Sequence, residues 1–281
     1  MDYRVVWIHG IGPTQSGYSQ VWDKVYNQYL KFPTFDDYIE VLWADVFSST
    51  NSANNQAKNL LATPLTGQEQ YAEAKLRQNL TTVLLARATA QAQSPALVGE
   101  WSQLTQKVAS GQIVLPPWLT NPDAYIGEFV KYLVNQDIRN AVKEKAKMQL
   151  RLLASSVCNC SIIAHSWGTV VAYESLLDLE LEEPGFQLAH LFTLGSPLWL
   201  VQSLLADTSG RKPRNVMNWV NVHAQGDPIG AGLTPGFQVD ADFLVPIFDD
   251  ADPHGSYFET GNVEVERDII AVDIVGQLAA A

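Results

Sequence analysis

Short apolar runs alternate along the chain with stretches in which apolar residues recur every three to four positions. The apolar runs predict buried strands at 3–8, 38–47, 161–164, 188–194 and 216–222. The periodic stretches predict helices, the clearest at 121–154 and 170–181. Strands that alternate with helices are typical of the α/β class, so we expect a mainly parallel central sheet with helices on both faces.

The segment 50–120 interrupts this alternation and is rich in Gln, Asn, Ala and Thr. Regular apolar spacing predicts one amphipathic helix through Ala72, Leu76, Leu80, Leu84 and Ala88, and a shorter one through Leu97, Trp101, Leu104 and Val108. The segment is far longer than a crossover between two strands requires. We therefore expect one domain, 1–281, with a helical cap or lid at 50–120. The alternative is that these helices only pack on one edge of the sheet.

Length, charge and cysteine content restrict the classes of function. With 281 residues, 47% of them hydrophobic, the chain can bury the core of one large domain. We expect neither a signal peptide nor a membrane span, because the apolar runs are too short. Cys158 and Cys160 are too close for an ordinary disulfide, which favours reduced thiols and a cytoplasmic location. A net charge of −12 without a basic cluster argues against nucleic acid and anionic membranes as partners.

A serine stands at the apex of a predicted strand–turn–helix at 161–172. Ser166 has a small residue two positions to each side, Ala164 and Gly168, as such a turn requires because strand and helix pass very close there. Trp167 supplies a backbone N–H at a helix N-terminus, where an oxyanion would be stabilised. The turn resembles the nucleophile elbow of the α/β-hydrolase fold. That family usually has G-x-S-x-G, and the alanine at the first position is similar to the A-H-S-x-G form of some small bacterial lipases.

The loop after the first predicted strand reads His9-Gly10-Ile11-Gly12. In α/β hydrolases a His-Gly loop in this place supplies the second N–H of the oxyanion hole. The resemblance therefore implies Ile11 as the donor, with Gly12 as second choice, and His9 as the residue that orders the loop. A dinucleotide-binding loop is the rival interpretation. It is disfavoured because its third small residue would fall on Gln15 and no acidic residue ends a strand at the required distance.

A serine hydroxyl becomes a nucleophile only with a base in hydrogen-bond reach, and the base needs a carboxylate to orient it. In the α/β-hydrolase family the three residues follow the order serine, acid, histidine. Asp227 lies in a turn just after the predicted strand at 216–222, and His254 is the one histidine downstream of it. The resemblance thus implies a catalytic triad of Ser166, Asp227 and His254.

The remaining polar candidates have simpler interpretations. His165 is expected to be held by the elbow turn and His190 to lie in a strand, so both are predicted to be structural. His223 is a fallback base, although it precedes the candidate acid, and Asp250 and Asp252 are fallback acids in a strongly acidic loop. The histidines show no metal-ligand spacing, so we expect neither a metal nor a cofactor.

The family resemblance covers mainly 1–47 and 121–265. It implies a serine hydrolase that cleaves a carboxylic ester through an acyl-enzyme, with a small-molecule ester as its partner. An apolar lid would suit an acyl chain of some length. Two alternatives stay open: a non-catalytic α/β-hydrolase relative that binds a ligand or a protein, and a thioesterase or acyltransferase that uses the same triad.

Overall fold

The computed structural model describes residues 3–10, 38–47, 66–92, 122–154, 159–246, 254–258, 262 and 264–274. Within these ranges six strands form one parallel sheet in the order β2-β1-β3-β4-β5-β6. The strands are β1 (Tyr3–Ile8), β2 (Tyr38–Val41), β3 (Asn159–His165), β4 (Leu188–Leu194), β5 (Val216–Ala224) and β6 (Ala241–Val245). The predicted α/β class with a parallel central sheet is confirmed.

Helices connect most of these strands. They are α1 (Gly67–Ala92), α2 (Pro122–Val134), α3 (Gln136–Ala154), α4 (Gly168–Glu182), α5 (Leu198–Val201) and α6 (Glu264–Ala271), the last with π-type hydrogen bonds. Short 3-10 turns lie at Trp43–Phe47, Gln202–Leu204 and Ser256–Phe258. The apolar spacing from Ala72 to Ala88 falls within α1, and the helix predicted at 170–181 is α4. The second helix predicted in the insertion, around Trp101, lies outside the described residues.

Side chains of the central strands point alternately to the two faces of the sheet, and each face is covered. Val6 and Ile162 belong to a large core cluster that also contains residues of α1 to α4. Val5 and Ile163 belong to a second cluster on the other face, formed with α6. A strand buried on both faces gives a continuous apolar run, which explains why β1, β3 and β4 were recognisable from sequence.

The strand order reverses at β1, because β2 lies on one side of it and β3 on the other. In open parallel sheets, ligands bind at the carboxyl ends of the strands where this reversal occurs. Ile8 is paired with Ala164 at that edge, so the segments that follow β1 and β3 leave the sheet side by side. These segments are His9-Gly10 and the Ser166 turn.

Two predicted boundaries were wrong. The strand predicted at 38–47 ends at Val41, and the chain continues as the 3-10 turn that buries Trp43, whose indole N–H donates to the carbonyl oxygen of His9 at 2.8 Å. The helix predicted at 121–154 is interrupted at Asn135, where a side-chain oxygen accepts the N–H of Ile138 at 2.9 Å and caps a new helix. Both differences come from side chains that bond to the backbone, which apolar periodicity does not record.

Strand β6 was not predicted at all. It pairs with β5 at the edge of the described sheet, and its residues Phe243 and Leu244 are exposed. An edge strand with only partial burial has neither a continuous apolar run nor a clean alternation, so its pattern resembles that of a loop.

Candidate active site

Ser166 sits in a strained turn between β3 and α4. Its φ of 54° is the one positive value among the non-glycine residues of the described ranges. Such a conformation is rare for a residue with a side chain and is retained where the surroundings enforce it. The turn is closely packed at Gly168, where a Cβ atom would lie 2.2 Å from the carbonyl oxygen of His9. A glycine is thus required two positions after the serine, because the loop that follows β1 passes very close to it. Ala164, two positions before the serine, is fully buried.

His254 lies between Ser166 and Asp227. Its Nε2 atom is 2.8 Å from the Ser166 Oγ, and its Nδ1 atom is 3.0 Å from each of the two carboxylate oxygens of Asp227. An ionised carboxylate only accepts hydrogen bonds, so Nδ1 carries the hydrogen and Nε2 is the acceptor that faces the serine hydroxyl. The structure therefore brings together the three residues chosen from the sequence, although they are far apart along the chain.

Asp227 is fully buried and accepts hydrogen bonds from side chains and from the backbone. Burial alone would raise its pKa, but the interaction with His254 and hydrogen bonds from His254, Tyr257 and the Gly230 N–H lower the pKa to about 2. The Tyr257 hydroxyl donates at 2.6 Å and the backbone N–H of Ile229 at 2.8 Å. The carboxylate is consequently ionised at neutral pH and fixed in orientation beside the imidazole.

Two glycines make room for this acid–base pair. Gly195 has a φ of +57°, and a Cβ atom there would lie 3.0 Å from both the Asp227 Oδ2 and the His254 Cε1. A Cβ atom on Gly230 would lie 2.4 Å from the same carboxylate oxygen. The contacts of Gly195, Gly230 and Tyr257 with this pair were not predicted from the sequence, and the one available signal was the turn-forming sequence that begins at Gly195.

Trp167 comes directly before α4, so its backbone N–H belongs to the first turn of a helix, where N–H groups have no partner within the helix. Its ring is buried and stacks on Phe129 of α2 with a centroid distance of 3.8 Å. The other predicted oxyanion donors, Ile11 and Gly12, lie outside the described residues.

His9 and Gly10 lie against the elbow. The His9 ring stacks on Trp43 at 5.2 Å, and its Nδ1 atom is 2.6 Å from the carbonyl oxygen of Gly10. A Cβ atom on Gly10 would lie 2.8 Å from that of Ser166. The loop that follows β1 therefore begins in contact with the candidate nucleophile.

The fallback base His223 and His190, which was expected to be structural, have other partners. His223 lies 3.7 Å from Asp242, and burial lowers its pKa. His190 has its Nδ1 atom 3.1 Å from the Ser161 Oγ within the sheet, and burial lowers its pKa to about 4. Both histidines are thus engaged with partners other than Ser166. The remaining fallback acids, Asp250 and Asp252, lie outside the described residues.

Comparison of the chain with protein-family models, with curated proteins and with solved structures gave no match. Among the described helices, none combines the length and the apolar character needed to cross a membrane. In the same residues, no group of three or more histidine, cysteine, aspartate or glutamate side chains is arranged to hold a metal ion.

Proposed function

We propose that this protein is a serine hydrolase of the α/β-hydrolase type that cleaves a carboxylic ester through an acyl-enzyme. The proposal is carried by one observation: the His254 imidazole bridges a strained, turn-mounted serine hydroxyl and a buried carboxylate, at 2.8 Å and 3.0 Å. A serine, a base and an orienting acid in this order are the arrangement that activates a hydroxyl for attack on a carbonyl carbon.

The first half of the reaction forms the acyl-enzyme. As the Ser166 Oγ attacks the ester carbonyl carbon, its proton moves to the Nε2 of His254. The negative charge that develops on the carbonyl oxygen is placed near the backbone N–H of Trp167 at the start of α4. The imidazolium then gives its proton to the leaving alkoxide, and the alcohol departs.

The second half returns the enzyme to its starting state. Water takes the place of the alcohol, loses a proton to His254 Nε2 and attacks the acyl carbon. Collapse of the second tetrahedral intermediate releases the carboxylic acid and reprotonates Ser166. In both halves the charge of Asp227 stabilises the imidazolium and holds its Nδ1–H toward the carboxylate.

We also propose that the insertion at 50–120 borders this site. Helix α1 runs antiparallel to α2, since Glu69 contacts Asn135 at 3.4 Å and the Arg77 guanidinium lies next to Gly127. Arg87 lies further along α1, and its guanidinium donates to the carbonyl oxygen of Gly230 at 2.6 Å. The insertion thus contacts the loop that carries the catalytic acid, which supports a role in shaping the substrate pocket.

The test is hydrolysis of p-nitrophenyl esters from short to long acyl chains by wild type, Ser166→Ala and His254→Ala. We expect both variants to lose nearly all activity and to keep the fold. Ser175→Ala is the matched control: Ser175 is buried on α4, and its hydroxyl has no hydrogen-bond partner among the described residues. It should retain wild-type activity.

The outcome separates the alternative functions. Wild type that neither hydrolyses any ester nor reacts with a fluorophosphonate probe would be a ligand- or protein-binding module. Ester formation with added alcohol, in preference to release of the acid, would indicate an acyltransferase, and faster turnover of thioesters would indicate a thioesterase. An active Ser166→Ala variant would contradict the proposal altogether.

A further inference from the structure

His165, the residue before the candidate nucleophile, makes a contact that the elbow turn does not need. Its Nε2–H donates to the backbone carbonyl oxygen of His254 at 2.9 Å, across a separation of 89 residues. The two imidazole rings lie 4.6 Å apart, centroid to centroid, with an interplanar angle of 32°. The side chain therefore touches both the backbone and the ring of the candidate base.

The contact connects a strand of the sheet to a residue that lies outside the sheet. His165 is the last residue of β3, and its neighbour Ala164 is paired with β1 in the centre of the sheet. His254 comes just before the 3-10 turn Ser256–Phe258. The hydrogen bond thus fixes the base-bearing segment relative to the strand that carries the nucleophile.

Two aromatic side chains also contact the His165 ring. Phe258 meets the His165 ring edge-on at 5.0 Å, and Tyr257 lies at 5.9 Å. Tyr257 in turn donates to Asp227, so one compact group holds acid, base and His165. Within such a group, a displacement of one ring changes the distance between the base and the serine hydroxyl.

We propose that His165 is a positioning residue, which holds His254 through its carbonyl oxygen and its ring so that Nε2 faces the Ser166 hydroxyl. The inference rests on the proposed function only for its kinetic consequence. The geometric claim, that His165 fixes the place of the His254 imidazole, stands independently of the substrate.

The charge state of His165 suits this role. The groups that face it are His254, Asp227 and His9, together with the phenol of Tyr257. Burial and the neighbouring His254 lower the pKa of His165 to about 3. The ring is therefore neutral at ordinary pH, and it places no like charge beside His254 when the base takes up the serine proton.

Three substitutions of His165 separate the contribution of the hydrogen-bond donor from that of the ring. His165→Gln places an amide N–H near the original Nε2 and keeps the donor, whereas His165→Asn is too short to reach the carbonyl oxygen. His165→Phe keeps a ring and loses the donor. Since a misplacement of about 1 Å can cost 10²-fold in rate, we expect His165→Asn and His165→Phe to lower kcat about 10- to 100-fold with little change in KM. His165→Gln should restore most of that loss.

A second readout needs no turnover. The proton between His254 Nδ1 and Asp227 should give a far-downfield NMR signal, which persists in His165→Gln and broadens or shifts in His165→Asn and His165→Phe. This pattern supports the inference even if wild type hydrolyses no ester, in which case only the proposed function fails. Equal NMR signals and equal kcat values in all variants would overturn the inference. A change confined to KM would also overturn it, because it would indicate that His165 contacts the substrate.

Discussion

Glu174 and Asp227 are both buried carboxylates, and their surroundings differ in one respect. Glu174 on α4 pairs with the guanidinium of Arg139 on α3, and both side chains are almost fully buried. The Tyr132 hydroxyl donates to the same carboxylate at 2.5 Å and the backbone N–H of Ala206 at 3.1 Å. Glu174 is therefore balanced by a permanent cation that belongs to the resting structure.

Asp227 is as deeply buried, but the groups that donate hydrogen bonds to it are of a different kind. They include the imidazole of His254, the hydroxyl of Tyr257 and backbone N–H groups. Arg87 lies close enough to affect it electrostatically, yet its guanidinium is hydrogen-bonded to the carbonyl oxygen of Gly230 instead. A proton that arrives on His254 would therefore place a positive charge directly beside the Asp227 carboxylate.

The difference separates a structural carboxylate from a catalytic candidate. An ion pair such as Glu174–Arg139 contributes to the fold, and its charges cancel before any substrate binds. A buried carboxylate beside an imidazole is stabilised further when that imidazole takes up a proton, which happens in the proposed reaction. Depth of burial alone does not distinguish the two groups, whereas the identity of their partners does.

The largest expected effect is on turnover in Asp227→Asn. The amide keeps the shape but cannot hold the Nδ1–H tautomer, so kcat should fall about 10⁴-fold. Steady-state hydrolysis of the best p-nitrophenyl ester measures this. Glu174→Gln is the matched control and should keep the wild-type kcat per folded molecule. A normal kcat in Asp227→Asn would show that the charge of Asp227 is not used.

The converse effect is on stability in Glu174→Gln. The substitution leaves the Arg139 charge buried without its counter-ion, which should lower the free energy of unfolding by roughly 3–5 kcal/mol. Urea denaturation measures it, and the double variant Arg139→Gln, Glu174→Gln should recover part of the loss. A single variant as stable as wild type would contradict the structural assignment of this pair.

The contribution of Asp227 to the free energy of unfolding should depend on pH in the acid range. Its pKa is about 2 in the folded protein against an ordinary value of 3.8. Because the folded value is the lower one, ionised Asp227 stabilises the fold above pH 3.8, and this contribution is lost as the pH falls through 2. The stability advantage of wild type over Asp227→Asn should therefore shrink by roughly 2 kcal/mol across this window. An advantage that is constant with pH would contradict the lowered pKa.

The smallest expected effect comes from the two tyrosines. Tyr257→Phe removes a donor to Asp227 and leaves the Ala224 N–H without its acceptor, and Tyr132→Phe removes a donor to Glu174. Each should cost about 1–3 kcal/mol of stability. Only Tyr257→Phe should also lower kcat, by about tenfold or less, since it orients the acid. Equal kcat values for the two variants would remove the functional distinction between the clusters.

The place of a residue could be predicted from the sequence where it follows from the strand before it. Ser166 and Asp227 both follow parallel strands, whose carboxyl ends meet at one edge of the sheet, and His254 was chosen by chain order. The residues that surround Asp227 and Glu174 were not predictable in this way. No local sequence pattern indicates that Tyr257 contacts Asp227. The Glu174–Arg139 contact joins residues of two different helices.

The most direct test of the central claim is the rate at which a fluorophosphonate labels Ser166, measured per folded molecule in wild type, Ser166→Ala, Asp227→Asn and Glu174→Gln. We expect one label per chain at equal rates in wild type and Glu174→Gln, much slower labelling in Asp227→Asn, and none in Ser166→Ala. Labelling of Asp227→Asn at the wild-type rate, or a label on another residue, would contradict the proposed roles of Ser166 and Asp227.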